Sequence, residues 1–176
     1  MILRPDYINA ITPFIDAPLV KILAGVRRCG KSTIFEMLVQ EIKNKGVSPD
    51  NIIERKYNNP DYDDFTAKKM YTDLKDAIKE KGRCYLFLDE LQEISGWEKT
   101  VNSLMEDFDV DIYVTGSNSK LMSSEISTYL TGRYVLIPVY TLSFKEYLTF
   151  KNKDITKARE AFDEYPVEEE WHKGTI

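Results

Sequence analysis

The feature that most constrains this chain is a glycine-rich segment in its first fifth, GVRRCGKST at residues 25–33. Its spacing is a glycine, four residues, a second glycine, a lysine and a serine, which is the signature of a phosphate-binding loop. The signature alone is weak evidence, because a pattern this short also arises by chance. A phosphate-binding loop further requires a buried strand before the glycines and a helix that opens at the lysine.

The residues on either side of the segment meet both requirements. LVKILAG, residues 19–25, is a short apolar run that predicts a buried strand leading straight into the loop. STIFEMLVQEIKNKG, residues 32–46, carries apolar residues at helical spacing and ends in a glycine, so it predicts a helix. The strand and the helix together favour a phosphate-binding loop over a chance match.

Each residue type in the loop has a role in binding phosphate. Gly25 and Gly30 permit backbone conformations that aim several N–H groups at one anion. The positive end of the following helix adds to the attraction at the same place. Lys31 would reach the β- and γ-phosphates, and the Ser32 hydroxyl would coordinate Mg²⁺. Thr33 could touch the α-phosphate.

Two further loop residues belong to the predicted nucleotide-binding set. One of the two arginines, Arg27 or Arg28, could add positive potential over the nucleotide or contact a partner domain. Of the two, Arg28 is assigned to the nucleotide-binding set. Cys29 occupies a variable position of the loop close to the phosphates. Its thiol could therefore be modified, but we do not expect it to act as a nucleophile.

An acidic pair ends the third predicted strand, CYLFLDE at residues 84–90. The run is apolar almost throughout, as expected for a strand covered on both faces. A carboxylate at the tip of such a strand can hold Mg²⁺ through water, and Asp89 is predicted in that role. Glu90 is placed to orient or deprotonate a water that attacks the γ-phosphate. An acidic helix-capping pair would look the same alone, but the upstream phosphate-binding loop favours the catalytic interpretation.

Two more candidates lie further along the chain, and each has a structural alternative. Asn118 follows the predicted strand DIYVTGS and could sense the γ-phosphate or fix the attacking water, as could Ser117. Both residue types are also common in turns for purely local reasons. Arg133 precedes the predicted strand RYVLIPV and could neutralise charge on a neighbouring subunit's nucleotide, as arginine fingers do. A surface salt bridge would explain this arginine equally well.

Strand and helix patterns alternate along the chain. Five strands are predicted, at residues 19–25, 51–59, 84–90, 111–117 and 133–139. Apolar residues recur at helical spacing at 32–46, 66–81, 97–108, 123–130 and from residue 143 onwards. This alternation predicts an α/β fold in which a parallel sheet is flanked by helices.

The composition argues against several functional classes. The 176 residues are 43% hydrophobic and 30% charged, as in an ordinary globular domain. The formal charge of −5 provides no basic field, so this domain alone is not expected to bind nucleic acid. Two distant cysteines with no histidine nearby argue against a zinc site or a disulfide framework. With no secretory signal and no membrane-length apolar run, the expected location is the cytoplasm.

The domain organisation is expected to change near residue 150. Residues 1–150 would form the core, and residues 151–176 a polar tail or the truncated start of a following region. The last 26 residues hold few large apolar side chains and include three consecutive glutamates at 168–170. We therefore expect the chain to be a piece of a longer protein.

With these pieces in this order, the chain resembles the AAA+ superfamily of ATPases. It is most similar to the bacterial and archaeal family whose ATPase domain precedes a nuclease-like C-terminal domain of unknown function. The resemblance covers residues 1 to about 150. Its carrying segments are LAGVRRCGKST, YLFLDELQEI, VTGSNSKLMSSEI and YLTGRYVLIPVYTLSFKEYL.

The resemblance implies a P-loop NTPase fold, with a five-stranded parallel sheet in the order 5-1-4-3-2 sandwiched between helices. It also implies ATP and Mg²⁺ as ligands, hydrolysis to ADP and phosphate, and homo-oligomers in which Arg133 faces a neighbour. Hydrolysis would drive or gate a change in an attached C-terminal domain or partner. Because the sequence holds only the start of the helical lid, turnover by this chain alone is expected to be weak.

Three alternatives remain open from the sequence. The domain could be a switch that binds ATP tightly and hydrolyses it slowly. It could be a P-loop phosphotransferase, although the sequence shows no marker of an acceptor pocket. It could also be a nucleic-acid motor or loader, against which the negative charge argues.

Overall fold

The computed structural model describes residues 3–117, 121, 126 and 129–151, and the structural statements below concern these residues. Its strands are β1 (Val20–Gly25), β2 (Ile52–Lys56), β3 (Cys84–Asp89), β4 (Val110–Gly116) and β5 (Tyr134–Val139). Its helices are α1 (Pro5–Ile11), α2 (Lys31–Asn44), α3 (Ala67–Ile78), α4 (Trp97–Asp107) and α5 (Phe144–Phe150).

The five strands form one parallel sheet in the order β2-β3-β4-β1-β5. Read from the other edge, this is the order 5-1-4-3-2, so the fold expected from the sequence is confirmed. The strands β3, β4 and β1 are neighbours, and their carboxyl ends lie along one edge of the sheet. In open parallel sheets, ligands bind in the crevice outside the carboxyl ends of the strands.

The sheet is buried between two apolar layers, because alternate residues of its strands face opposite sides. One layer combines strand residues with buried residues of α3 and α4, namely Met70, Leu74, Ile78, Trp97, Val101 and Leu104. The other combines strand residues with buried residues of α1 and α2, namely Ile11, Ile34, Phe35, Leu38, Val39 and Ile42. In this three-layer arrangement β1 and β3 lie on either side of the central strand β4, and both are buried along their whole length.

The predicted elements differ from the observed ones mainly at their ends. Helix α2 begins at Lys31 and ends at Asn44, and the chain leaves the helix through Gly46, whose φ is +90°. Helix α3 starts after Thr66, whose side-chain oxygen accepts a hydrogen bond from the Lys69 N–H. The predicted helix at 123–130 lies almost entirely outside the described residues, and the predicted tail beyond Lys151 lies wholly outside them.

The chain divides into two compact units at Leu142. The first unit, from Leu3 to Thr141, holds the whole sheet together with α1–α4. The second begins at Leu142 and contains α5, which opens with a reciprocal capping box between Ser143 and Glu146. In the part of the chain that the structure describes, no helix is both long and apolar enough to cross a membrane.

Candidate functional site

The glycine-rich segment forms a tight loop between β1 and α2. Arg28 and Gly30 adopt left-handed backbone conformations, with φ of +65° and +98°. Gly30 is the N-cap of α2, and its lack of a side chain leaves the first N–H groups of that helix without a side-chain cap. Uncapped N–H groups at the positive end of a helix form a ready site for an anion.

Gly25 lies in a confined space that the sequence alone does not reveal. Its φ lies outside the left-handed region. A Cβ at this position would lie 2.3 Å from the Val139 carbonyl oxygen and 2.7 Å from the Cys29 sulfur. Gly25 is therefore small at least because β5 and the loop pack directly against it, and its predicted part in phosphate binding stays a prediction.

Lys31 is 96% buried and lies at the mouth of the loop. Its Nζ donates to the carbonyl oxygens of Gly25 at 3.1 Å and Val26 at 3.2 Å. It also lies 3.7 Å from Oε1 of Glu90. The lysine that the motif predicts to bind phosphate thus stands between the loop and the predicted catalytic carboxylate, with 4% of its surface exposed.

The two residues predicted to hold Mg²⁺ contact each other. The Ser32 hydroxyl, in the first turn of α2, donates to Oδ2 of Asp89 at 2.9 Å. A hydroxyl and a carboxylate are oxygen donors of the kind that Mg²⁺ prefers, and the ion usually keeps several waters and binds phosphate as well. No described residues form a group of three or more His, Cys, Asp and Glu side chains that could hold a metal. The pair therefore fits an ion that shares its coordination with a phosphate ligand.

Thr115, which was not predicted from the sequence, orients the Asp89 carboxylate. Its hydroxyl donates to Oδ1 of Asp89, and its Oγ1 accepts a hydrogen bond from the Glu90 N–H at 3.0 Å. Leu88 pairs with Val114 in the parallel register of β3 and β4, which brings the next residues of both strands together. Strand register, which is a long-range property, was the signal that could have identified Thr115.

Glu90 turns out of β3 in a strained conformation. Its φ of +54° and ψ of +42° place a non-glycine residue in the left-handed region. One carboxylate oxygen faces Lys31, and the other accepts a hydrogen bond from Nε2 of Gln92 at 2.5 Å. Backbone strain of this kind persists where the surrounding structure fixes it and clusters at functional sites.

These residues open onto a cleft of about 480 Å³. Its wall combines the loop, the chain after β2, the turn after β3 and the end of β4. The lining residues are Arg27, Lys31, Tyr57, Asn58, Tyr62, Asp63, Glu90, Gln92, Glu93 and Ser117. The volume falls within the range of small-molecule sites, and the lining is largely polar.

The remaining loop residues are distributed unevenly around the cleft. Arg27 lines it, whereas Arg28 is not among the lining residues. The Cys29 side chain is buried in the layer formed by α1 and α2, and its N–H donates to the Val26 carbonyl. Cys29 therefore presents no thiol to the cleft. Thr33 lies half-buried in the first turn of α2.

Of the two candidates after β4, only Ser117 can be placed. It lies at the wall of the cleft, one residue beyond the end of the strand. Asn118 lies outside the described residues, so its predicted role as γ-phosphate sensor stays a prediction.

Arg133 lies at the amino ends of the strands, whereas the phosphate-binding loop lies at their carboxyl ends. Its carbonyl accepts a hydrogen bond from the Val20 N–H, at the start of β1, while the loop follows the end of that strand. Its guanidinium donates to Asn102 and forms an ion pair with Glu106 at 3.4 Å. A six-residue strand spans about 16 Å, so Arg133 does not reach the loop of its own chain.

Arg4 is a further residue that the sequence did not single out. It is 3% exposed, and its Nη1 donates to the Cys29 carbonyl at 2.9 Å. Its Nη2 donates to the Tyr140 carbonyl at 3.0 Å, and its guanidinium carbon lies 4.4 Å from the centre of the Tyr7 ring. Arg4 thus ties the start of α1, the phosphate-binding loop and the chain after β5 together.

The arrangement of the loop, Ser32, Asp89 and Glu90 agrees with the family to which the sequence is matched. A family described as an AAA domain matches residues 17–148, which is three quarters of the chain. The chain belongs to this AAA domain family. The resemblance inferred from the sequence is thus confirmed for an AAA-type ATPase domain, whereas the comparisons do not support a nuclease-like C-terminal domain. Membership implies nucleotide binding.

Relatives of this AAA domain occur in bacteria and archaea. An uncharacterized protein of Haemophilus influenzae is 38% identical over 159 residues, covering 88% of this chain and 39% of the relative. An uncharacterized protein of Methanocaldococcus jannaschii is 35% identical over 139 residues, covering 78% of this chain and 30% of the relative. The chain therefore spans less than two fifths of the length of these two relatives.

Among solved structures, the AAA domain is similar to a DNA polymerase III gamma subunit-related protein from Thermotoga maritima. The TM-score is 0.57, the sequence identity is 11%, and the match covers 88% of this chain and 57% of that one. At this level of identity the likeness shows a shared fold.

Proposed function

We propose that the chain binds Mg-ATP at the loop between β1 and α2 and hydrolyses it to ADP and phosphate. One observation carries the proposal: a phosphate-binding loop, a hydroxyl–carboxylate pair and a further carboxylate meet at one edge of the sheet. The contacts that support it are those of Lys31 with Glu90 and of Ser32 with Asp89. Membership of an AAA domain family also supports it.

Binding rests on the loop and the helix that follows it. The N–H groups at the start of α2 and the buried Lys31 ammonium would neutralise the β- and γ-phosphates. Arg27, which lines the cleft, would add positive potential there. Gly25, Gly30 and the left-handed Arg28 shape the loop, while Cys29 and Thr33 would contribute through the backbone and the first turn of α2.

Ser32 and Asp89 would hold Mg²⁺, Ser32 directly and Asp89 through water. A bound Mg²⁺ ion supplies charge neutralisation for the phosphate oxygens. Thr115 fixes the orientation of Asp89, because its hydroxyl donates to the carboxylate oxygen that Ser32 leaves open. The carboxylate is therefore held in place before any ligand arrives.

Glu90 would accept the proton of the water that attacks the γ-phosphate. Its carboxylate lies beside Lys31 and at the wall of the cleft, so a γ-phosphate held by Lys31 would lie within its reach. Asn118 and Arg133 complete the proposed catalytic set, the first as γ-phosphate sensor and the second acting on a neighbouring chain's nucleotide.

The wider role is also a proposal. The relatives are more than twice as long as the matched region, so hydrolysis would act on an attached C-terminal domain or a partner. Residues 1–150 would be the ATPase core and residues 151–176 the start of the following region. A cytoplasmic location and homo-oligomer formation remain predictions from the sequence.

The size of the cleft favours a second candidate function. Beyond Lys31 and Glu90 it extends to Tyr57, Tyr62 and Asp63, which is space that a phosphate acceptor would need. In a phosphotransferase, labelled γ-phosphate would appear on a small molecule supplied with the ATP. In a hydrolase it would appear as inorganic phosphate whether or not metabolites are present.

The decisive experiment compares Glu90→Gln with wild type and with the matched control Glu80→Gln, which changes an exposed glutamate that does not line the cleft. We expect Glu90→Gln to bind ATP like wild type but to lose turnover by about 10²–10⁴-fold, the usual contribution of a general base. Glu80→Gln should retain most of its turnover. Equal losses of binding and turnover in Glu90→Gln would exclude Glu90 as the base.

A further inference from the structure

Gln92 holds the carboxylate to which the proposed function assigns catalysis. It lies in the short 3₁₀ turn after β3, and its Nε2 donates to Oε2 of Glu90 at 2.5 Å and to Oε1 of Glu93 at 3.3 Å. Lys31 faces the other oxygen of Glu90. The carboxylate is therefore fixed by an amide on one side and by an ammonium group on the other.

The amide of Gln92 has only one suitable orientation. Carboxylate oxygens accept hydrogen bonds and do not donate them, so the group facing Glu90 must be the NH₂. The carbonyl oxygen Oε1 then points away, is buried, and finds no hydrogen-bond partner in the described part of the chain. It lies against Gly116, where a Cβ would come within 2.1 Å of it.

This arrangement does not serve stability. A buried carbonyl without a partner lowers the stability of the fold, and an apolar side chain of the same size would avoid that cost. Unsatisfied buried groups that break a rule of packing are expected at functional sites. The glutamine is thus explained by what its NH₂ group does for Glu90.

Lys31 alone cannot hold Glu90 while ATP is bound. Its ammonium now lies near two loop carbonyls and Glu90, and the phosphates would compete for it when they enter the loop. The recorded hydrogen bonds of the Gln92 amide go to Glu90 and Glu93 and not to the loop, so the amide would stay in place. It would then be what keeps the Glu90 carboxylate directed at the cleft during the reaction.

We propose that Gln92 is a positioning residue, which holds the Glu90 carboxylate in its reactive orientation once the nucleotide has engaged Lys31. The inference rests on the proposed ATPase function and adds a residue that acts only through Glu90. It predicts an effect on turnover that is separable from nucleotide affinity and from folding.

The test uses Gln92→Leu in the full chain, with Gln40→Leu as the matched control. Gln40 is an exposed glutamine on α2 whose amide donates to Asn44, so the chemical change is the same. For Gln92→Leu we expect kcat to fall on the order of 10–100-fold, the cost of a catalytic group displaced by about 1 Å. The KM and the equilibrium Kd for ATP should stay within about twofold of wild type, and Tm should be unchanged or higher.

A double-mutant cycle with Glu90→Gln distinguishes action through Glu90 from an independent effect. Single-turnover rates of Glu90→Gln, with and without Gln92→Leu, should be equal, because the positioned group is already lost. The conservative variant Gln92→Asn keeps an amide and should recover part of the rate relative to Gln92→Leu.

Three results would overturn the inference. Gln92→Leu could leave kcat at the wild-type value, or it could lower Tm and ATP affinity together with kcat, as a structural residue would. Gln92→Leu could also reduce the single-turnover rate of Glu90→Gln by the same factor by which it reduces the rate of wild type. Failure of the proposed function would be recognised separately, because wild type would then show no turnover that depends on Glu90, and the role of Gln92 would fall with it.

Discussion

At Gly25, packing gives a reason for a glycine that the motif does not state. A Cβ at this position would overlap the Val139 carbonyl and the Cys29 sulfur. We expect Gly25→Ala to destabilise the fold by about 1–3 kcal/mol, the usual cost of overpacking, because β5 must shift away from β1. Urea denaturation of both proteins measures the difference in the free energy of unfolding.

Gly82→Ala is the matched control for this substitution. No atom lies within 4 Å of a Cβ at Gly82, and its φ is not in the left-handed region. Its free energy of unfolding should therefore match that of wild type. If Gly25→Ala is as stable as Gly82→Ala, the close packing of β5 against the loop does not constrain this position.

At the residue scale, the sequence predicts the groups whose roles depend on local spacing. Lys31 and Ser32 follow from the motif, and Asp89 and Glu90 follow from the acidic end of an apolar strand. Thr115, Gln92 and Arg4 could not be predicted in the same way. Their partners lie elsewhere in the chain or depend on strand register, as when Arg4 bonds the carbonyl of Tyr140, 136 residues away.

Lys21 illustrates the same limit within a strand. It lies in the middle of the apolar run LVKILAG and is fully buried, although lysine is among the residues least often buried. It pairs with Asp111 on β4, which also accepts a hydrogen bond from Tyr113. Burial lowers the pKa of Lys21, and the charge of Asp111 opposes that shift. Only the order of the strands brings this pair together.

At the element scale, the long elements were predicted well because their apolar periodicity is strong. Their ends were less accurate, since caps decide them: β2 stops at Lys56, three residues before the end of the predicted strand. Helix α1 was not predicted. It has seven residues and only one of them, Ile11, is buried, so it carries no clear periodic signal.

The anchoring of α1 leads to a prediction about Arg4. We expect Arg4→Ala to destabilise the fold by about 1–3 kcal/mol, because the carbonyls of Cys29 and Tyr140 lose a buried donor. ATP binding should weaken as well, since the Cys29 carbonyl immediately precedes Gly30 and Lys31. Thermal denaturation and equilibrium ATP titration measure the two effects.

Arg4→Lys separates charge from geometry in this anchor. A lysine keeps the positive charge but cannot present two donors in a fixed fork. We expect it to recover only part of the stability and of the ATP affinity. If Arg4→Ala binds ATP as tightly as wild type, the tie between α1 and the phosphate-binding loop is structural and does not affect the site.

At the scale of the whole molecule, the length of the sheet strands separates Arg133 from the phosphate-binding loop of its own chain. The arginine lies at the start of β5 and the loop at the end of β1, on opposite edges of the sheet. An action on ATP must therefore take place on a neighbouring chain. The geometry is thus compatible with the expectation that Arg133 acts on a neighbouring subunit, which ATPase measurements can test.

We expect the turnover per chain to rise with protein concentration in wild type and to stay low and flat in Arg133→Ala. ATP affinity should be the same in both, because Arg133 does not reach its own loop. The fold should lose no more than about 1 kcal/mol, since the side chains of Arg133 and Glu106 are 40% and 57% exposed to solvent. ATPase rates over a concentration series, alongside analytical ultracentrifugation, measure turnover and assembly together.

Glu106→Ala decides between the two explanations of Arg133. It removes the same ion pair but keeps the guanidinium, so an arginine that acts on a neighbour should retain the rise with concentration. If Arg133 serves only as a surface salt bridge, the two variants should behave alike, with equal stability and the same concentration dependence as wild type. A rise that survives in Arg133→Ala would therefore show that assembly activates the site through another residue.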